Sequence, residues 1–133
     1  MEHIDLQGFT RQAMEHAQQP RNKGVLPEFN AEGRVTGPCG ETMAFWLNVK
    51  NDRIQSASFY TTGCGSSLAC GSMATCLAKD KPIEDAAALS QQDILDALGG
   101  LPPEAEHCAL LAANTMKAAC EDYLKNQNKG IKS

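Results

Sequence analysis

The most constraining stretch of this chain is Tyr60-Thr61-Thr62-Gly63-Cys64-Gly65-Ser66-Ser67-Leu68-Ala69-Cys70. Alternating side chains end in a cysteine held between two glycines, and a helical pattern starts at once after it, so Cys64 belongs at a strand-to-helix joint. Gly63 and Gly65 permit backbone angles and close approach that a β-carbon would block. Ser66 and Ser67 are placed to accept from the unpaired N–H groups of the helix's first turn. That end of a helix carries partial positive charge, which favours the thiolate, the form of cysteine that binds metal or attacks sulfur. A cysteine merely buried at a turn is the plainer reading, but glycine on both sides admits something larger than a packed side chain. The joint therefore reads as a reactive site.

What precedes the joint has strand periodicity. Met43, Phe45, Leu47 and Val49 share one face, Asn51-Asp52 makes a turn, and residues 54–62 return with Ala57 and Phe59 facing one way. Pairing residues 42–50 with 53–61 as a hairpin carries Cys39, near the start of the first strand, to the same edge as Cys64, just past the end of the second. The two cysteines then lie within reach of one ion. Residues 34–37 start a further strand, with Pro38 forcing Gly37 towards an extended conformation. The pattern predicts an antiparallel sheet with one wet face.

The remaining segments read as helices and connections. Leu6, Phe9, Ala13, Met14 and Ala17 recur at helical spacing up to Pro20, and His16 in the last turn suits the helix dipole. Residues 20–32 form a loop long enough to be mobile. After Cys64, a stripe of Cys70, Met73, Ala74 and Leu77 faces a core, while Cys76 points elsewhere as a small packing residue. Two short helices are predicted over 83–89 and 90–98, the second capped by Ser90, and Gly99-Gly100 ends them. Leu101-Pro102-Pro103 is a stiff entry to a long helix over 104–125. Its broad apolar face carries Ala109, Ala112, Ala113, Met116, Ala119, Cys120, Tyr123 and Leu124, which puts Cys120 in the core. His107 and Cys108 fall in its first turn, and residues 126–133 read as a frayed tail.

At 133 residues the chain is expected to be a single domain, 1–133, with one modest core. A net charge of −4, with no basic cluster interleaved with aromatics, argues against a nucleic-acid partner. Glu2 and Asp5 stand where a signal peptide needs positive charge, and no segment approaches the roughly 18 apolar residues of a membrane span. A cytoplasmic protein with no membrane partner is expected. Six cysteines in a reducing compartment then point to thiolate chemistry or core packing, not to a disulfide framework.

The open question is whether Cys39, Cys64 and Cys108 form one site. Their separations of 25 and 44 residues exclude a local Cys-x-x-Cys knuckle, so spacing alone is weak evidence. Context is stronger. Each sits beside a glycine, proline or helix-start signal where the chain changes direction. Glu41 follows Cys39 by two positions, and His107 directly precedes Cys108. Three soft thiolates with one carboxylate or imidazole suit zinc or an iron–sulfur cluster, and after purification in air Cys39, Cys64 and Cys108 are expected to be empty or to carry zinc. Cys70, Cys76 and Cys120, which lack such context, are expected to be dispensable for metal.

At these residues the chain resembles the IscU family of iron–sulfur cluster assembly scaffolds, also found as the N-terminal domain of NifU. The resemblance rests on His16 with Pro20-Arg21-Asn22-Lys23-Gly24, on Cys39-Gly40-Glu41, on Gly63-Cys64-Gly65-Ser66, and on Leu101-Pro102-Pro103 followed by His107-Cys108. It implies an α+β fold, a small antiparallel sheet of about three strands with helices packed on one face. It also implies a carrier, not an enzyme in the strict sense. Such a carrier receives sulfur as persulfide from a cysteine desulfurase, accepts iron from a donor, holds a [2Fe-2S] cluster and passes it to acceptor apoproteins. Carried across, it makes Cys39, Cys64 and Cys108 ligands and Cys108 the first persulfide acceptor. Glu41 becomes the acidic residue that keeps the cluster transferable, and His107 the alternative fourth ligand.

Two departures qualify what the resemblance implies. Glu41 is one methylene longer than the family's usual Asp, which leaves the balance between carboxylate and imidazole ligation open. Glu104-Ala105 stands where the chaperone-recognised motif continues Val-Lys, so recognition by a dedicated DnaK-type chaperone is not implied. Two other classes use the same residues. One is a zinc-bound sulfurtransferase partner that activates a desulfurase without building clusters, which would stay colourless with iron and sulfide. The other is a thiol enzyme pairing Cys108 with His107, disfavoured because neighbouring residues on a helix project about 100° apart.

Overall fold

The computed structural model describes residues 8–38, 40–63 and 65–132, with side chains as far as Asn126. The elements run α1 (Arg11–Gln18), β1 (Ala31–Thr36), β2 (Thr42–Lys50), β3 (Arg53–Thr61), α2 (Ser66–Ala78), α3 (Ile83–Ala87), α4 (Gln91–Leu98), a 3-10 turn at Pro103–Ala105 and α5 (His107–Lys132). Three antiparallel strands in the order β1-β2-β3 pack against α2 and α5. This is the α+β arrangement that the resemblance implied.

The β2–β3 hairpin has the expected bounds, and its turn explains why. Asn51 and Asp52 both take left-handed φ, 55° and 59°, the two-residue turn whose twist matches that of a hairpin. Phe45 then lies opposite Phe59, and Leu47 opposite Ala57. Met43, Phe45, Leu47, Ile54 and Phe59 are fully buried, each worth on the order of 2 kcal/mol relative to exposure. A slip of one residue would turn that whole row outward, so the register is strongly held. The ends of β2 and β3 are thereby fixed at one edge of the sheet.

β1 lies against α5 through a missing side chain. Gly33 pairs with Phe45, and a β-carbon on it would stand 2.5 Å from the backbone nitrogen of Ala119. Strand and helix are therefore in backbone contact. α2 is buried on nearly every side, from Ser67 through Ala78, because β3, α1, α4 and α5 all pack on it. Cys70 and Cys120 are in the core as expected.

Several expectations need correction. Cys76 is exposed: it occupies a sector of α2 that the described neighbours leave uncovered, so it is not a packing residue. Leu124 is also exposed, because Tyr123 takes the inward position and donates its hydroxyl to Asp52 at 3.0 Å. On α1, Ala13, His16 and Ala17 turn inward and leave Met14 half-exposed; Leu6 lies outside the described residues. The first short helix stops at Ala87, and α5 runs on to Lys132 instead of ending near Lys125.

Residues 20–32 are pinned instead of loose. Phe59 N–H donates to Asn22 O and Gly24 N–H donates to Phe59 O, which lays residue 23 parallel along the free edge of β3. Asn30 exchanges two side-chain hydrogen bonds of 2.8 Å with the backbone of Val49, and β1 starts at Ala31, three residues earlier than predicted. The segment must pass from the β3 edge to the β1 edge, and the helices occupy the other face. The face expected to be wet is accordingly covered at its centre, where Ala44, Trp46 and Ser58 are buried.

His16 does not serve the helix dipole. It is 8% exposed, and its Nδ1 lies 2.6 Å from Ser72 Oγ, which also accepts the Arg21 N–H at 2.9 Å. Which of the two donates depends on the tautomer of the ring. Burial first, and the Arg21 charge second, hold its pKa below the ordinary 6.5, with Glu15 opposing. A depressed histidine pKa contributes stability above pH 6.5 that is lost as pH falls towards the folded value. The urea midpoint should therefore drop between pH 7 and pH 5.5 by more in the wild type than in His16→Gln. Equal slopes would show that His16 titrates without consequence for folding.

Candidate metal centre

Four chain segments end at the same edge. The β1–β2 connection is closed by Gly37 N–H donating to Glu41 O at 2.7 Å and Gly40 N–H donating to Gly37 O at 3.0 Å. Just past β3, Thr62 N–H donates to Thr42 O at 3.0 Å, and Thr42 N–H returns a bond of 3.0 Å to Thr62 Oγ1. The first turns of α2 and α5 complete the rim. Of the five expected site residues, Cys39 and Cys64 lie outside the described residues. The other three, Glu41, His107 and Cys108, are brought together, one ligand atom of each lying within 4.8 Å of the others.

Cys108 is the buried member, 3% exposed, while Glu41 is half-buried and His107 is exposed. Its Sγ lies 3.9 Å from Glu41 Oε1 and 3.7 Å from His107 Nε2. Ser66 Oγ is 3.2 Å from the same sulfur, and the Ser67 hydroxyl donates to it at 3.5 Å. These serines were expected to cap α2. Instead no side chain caps it, its N-cap being Gly65 at φ 51°, and both hydroxyls turn to Cys108. The sulfur thus stands in the first turn of α5 and against the first turn of α2, whose N–H groups and partial positive charge favour a thiolate.

Gly63 is the residue that lets the carboxylate in. A β-carbon at that position would stand 1.7 Å from Glu41 Oε2 and 2.5 Å from Ser67 Oγ. The sequence marked Gly63 for backbone freedom, but what the site uses is its empty side-chain volume. The roles of Gly63, Ser66 and Ser67 depend on contacts 22 to 42 positions apart. The Gly-Cys-Gly-Ser-Ser run is their only local signal.

A buried sulfur, a carboxylate and an imidazole facing one point offer soft and hard donors together, which suits zinc or iron. Residues 8–130 match the family described as NifU-like N terminal domain. The chain belongs to this family. It is 41% identical over 124 residues to the iron–sulfur cluster assembly scaffold protein IscU of Aquifex aeolicus, covering 91% of this chain and 79% of that protein. It is 38% identical over 122 residues to IscU 1 of Archaeoglobus fulgidus, covering 91% and 80%. The fold is shared with the crystal structure of a nitrogen-fixing NifU-like protein (N-terminal) from Brucella abortus. There the TM-score is 0.68 at 16% identity, covering 87% of this chain and 94% of that one. Among the described residues of this NifU-like chain, no helix is long and apolar enough to cross a membrane.

Proposed function

We propose that this chain is a scaffold on which an iron–sulfur cluster is built and from which it is handed on. The convergence of Glu41, His107 and Cys108 on one point supports this reading, at the positions where the chain carries its family's motifs. In it, Cys39, Cys64 and Cys108 are the thiolate ligands of a [2Fe-2S] cluster, and Glu41 or His107 supplies the fourth. The cluster is cargo. Residues 1–133 work as one cytoplasmic scaffold domain, a carrier and not a catalyst. Cys108 is the first persulfide acceptor, because its sulfur meets two hydroxyls and two helix starts that favour the thiolate. A cysteine desulfurase supplies the sulfur, a donor the iron, and acceptor apoproteins take the product.

Glu41 gives this reading its test. Iron in a cluster prefers thiolate, so an oxygen ligand, or a carboxylate competing with the imidazole, leaves one iron less firmly held. Its slot over Gly63 brings Oε1 to 3.9 Å from the Cys108 sulfur. Glu41→Ala removes that oxygen and its charge, leaving the place to His107 or a small ligand. Anaerobically reconstituted Glu41→Ala should keep its cluster several-fold longer than the wild type against a chelator or an apo-ferredoxin. Faster release would mean that Glu41 secures the cluster, and equal rates that it is a bystander.

A further inference from the structure

The inner row of β3 runs Ala57, Phe59 and then Thr61, all three buried. A hydroxyl at the end of an apolar row is tolerated only when it is hydrogen-bonded. Thr61 uses it in both directions: Oγ1 donates to Thr42 O at 3.1 Å and accepts the Gly63 N–H at 3.1 Å. These partners frame the slot of the Glu41 carboxylate. Thr42 directly follows Glu41 in the chain, and Gly63 leaves open the volume beside Glu41 Oε2 and Ser67 Oγ. Ser67 in turn donates to the Cys108 sulfur at 3.5 Å. The bonds between Thr42 and Thr62 hold the two strand ends together but stop short of Gly63. Glycine has the widest backbone freedom of any residue, so its place in the slot needs a tie from outside, and the Thr61 hydroxyl supplies one.

We propose that Thr61 is a positioning residue for Glu41: its hydroxyl fixes Gly63 against the start of β2 and so sets where the carboxylate stands relative to the Cys108 sulfur. The consequence for cluster release rests on the scaffold reading above. Thr61 touches neither the carboxylate nor the sulfur in this account; it acts by holding the floor of the slot. Valine has the shape of threonine without the hydroxyl. Thr61→Val therefore leaves the Gly63 N–H untied, the floor shifts, and the carboxylate loses its fixed place. Serine keeps the hydroxyl and should keep the slot.

Nuclear magnetic resonance of the full-length, reduced, metal-free protein reads the slot directly. In the wild type and in Thr61→Ser a nuclear Overhauser contact should join the Glu41 γ protons to the Gly63 α protons, and the Gly63 amide should be protected from exchange. In Thr61→Val and Thr61→Ala, each checked for fold by circular dichroism, that contact should vanish and the amide should exchange about tenfold faster, as expected for one lost hydrogen bond. A missing contact in the wild type, a contact that survives in Thr61→Val or Thr61→Ala, or its loss in Thr61→Ser overturns the proposal. A second arm follows release of the anaerobically reconstituted cluster to a chelator. Thr61→Val should shift the rate in the same direction as Glu41→Ala, and combining the two should change the Glu41→Ala rate by less than about twofold. An equal shift in both backgrounds would mean that Thr61 acts on the site at large and not through Glu41, which also overturns it. If Glu41→Ala leaves release unchanged, the role given to Glu41 in the scaffold reading fails by itself. The resonance arm still decides whether Thr61 holds the slot.

Discussion

Replacing Gly33 with alanine is expected to cost about 2 kcal/mol of folding stability, a large share of what holds a domain of this size together. The added carbon would stand 2.5 Å from Ala119 N, 2.9 Å from Ala119 Cα and 3.0 Å from Ala118 C. These are backbone atoms in the middle of a helix, so no side chain can swing aside. α5 must instead lift from β1, loosening the layer where Ala31, Phe45, Met116, Ala119 and Cys120 are buried. Overpacking of this kind costs up to about 3 kcal/mol or more. The lower entropy of the unfolded alanine chain returns about 0.4–1 kcal/mol. Gly37→Ala is the control: its β-carbon would meet only the Leu111 methyls and Glu41 O, at 3.7 and 3.8 Å, and its stability should change by no more than about 0.5 kcal/mol. Urea unfolding of the three proteins gives the comparison, and a Gly33→Ala midpoint equal to that of the wild type would mean that strand and helix are not in backbone contact.

Cys108→Ser should have the largest functional effect. Serine keeps the volume and can still meet Ser66 and Ser67, so the fold should survive. An alcohol at neutral pH does not supply the anionic sulfur that iron and zinc prefer. Metal affinity should fall by more than about 100-fold, the upper range for losing even an outer partner of a metal site. Competition with a chromogenic chelator under anaerobic conditions measures this directly. Retained affinity in a folded Cys108→Ser protein would place the metal elsewhere.

How much of this was legible in the sequence depended on the range of the interactions. The hairpin followed from the alternation of Met43, Phe45, Leu47 and Val49 and from the Asn51-Asp52 turn. Helix α4 followed from Ser90, which forms a capping box with Asp93, and from left-handed Gly99 at its end. All of these are local signals. The wrong roles for His16 and Ser66 came from partners far along the chain: Ser72, 56 positions from His16, and Cys108, 42 positions from Ser66. Each residue kept a sensible local reading, a dipole partner or a cap, that tertiary contacts replaced. Cys76 and Leu124 show the limit of helical periodicity. It orders the faces of a helix but does not say how much of its girth the rest of the chain covers. For the site, the motifs singled out Glu41, His107 and Cys108, one ligand atom of each lying within 4.8 Å of the others, whereas the slot over Gly63 emerges only when two strand ends are held side by side.

The central claim is that Cys108, with Cys39, Cys64 and either Glu41 or His107, holds an iron–sulfur cluster and not a lone metal ion. Mössbauer spectroscopy of the wild-type chain, reconstituted anaerobically with labelled iron and sulfide, tests it most directly. The account predicts a sulfide-bridged iron pair in which the two irons are inequivalent, one held by thiolates alone and the other bearing an oxygen or nitrogen ligand. Mononuclear iron without bound sulfide, or a colourless protein that keeps zinc against iron, would contradict it.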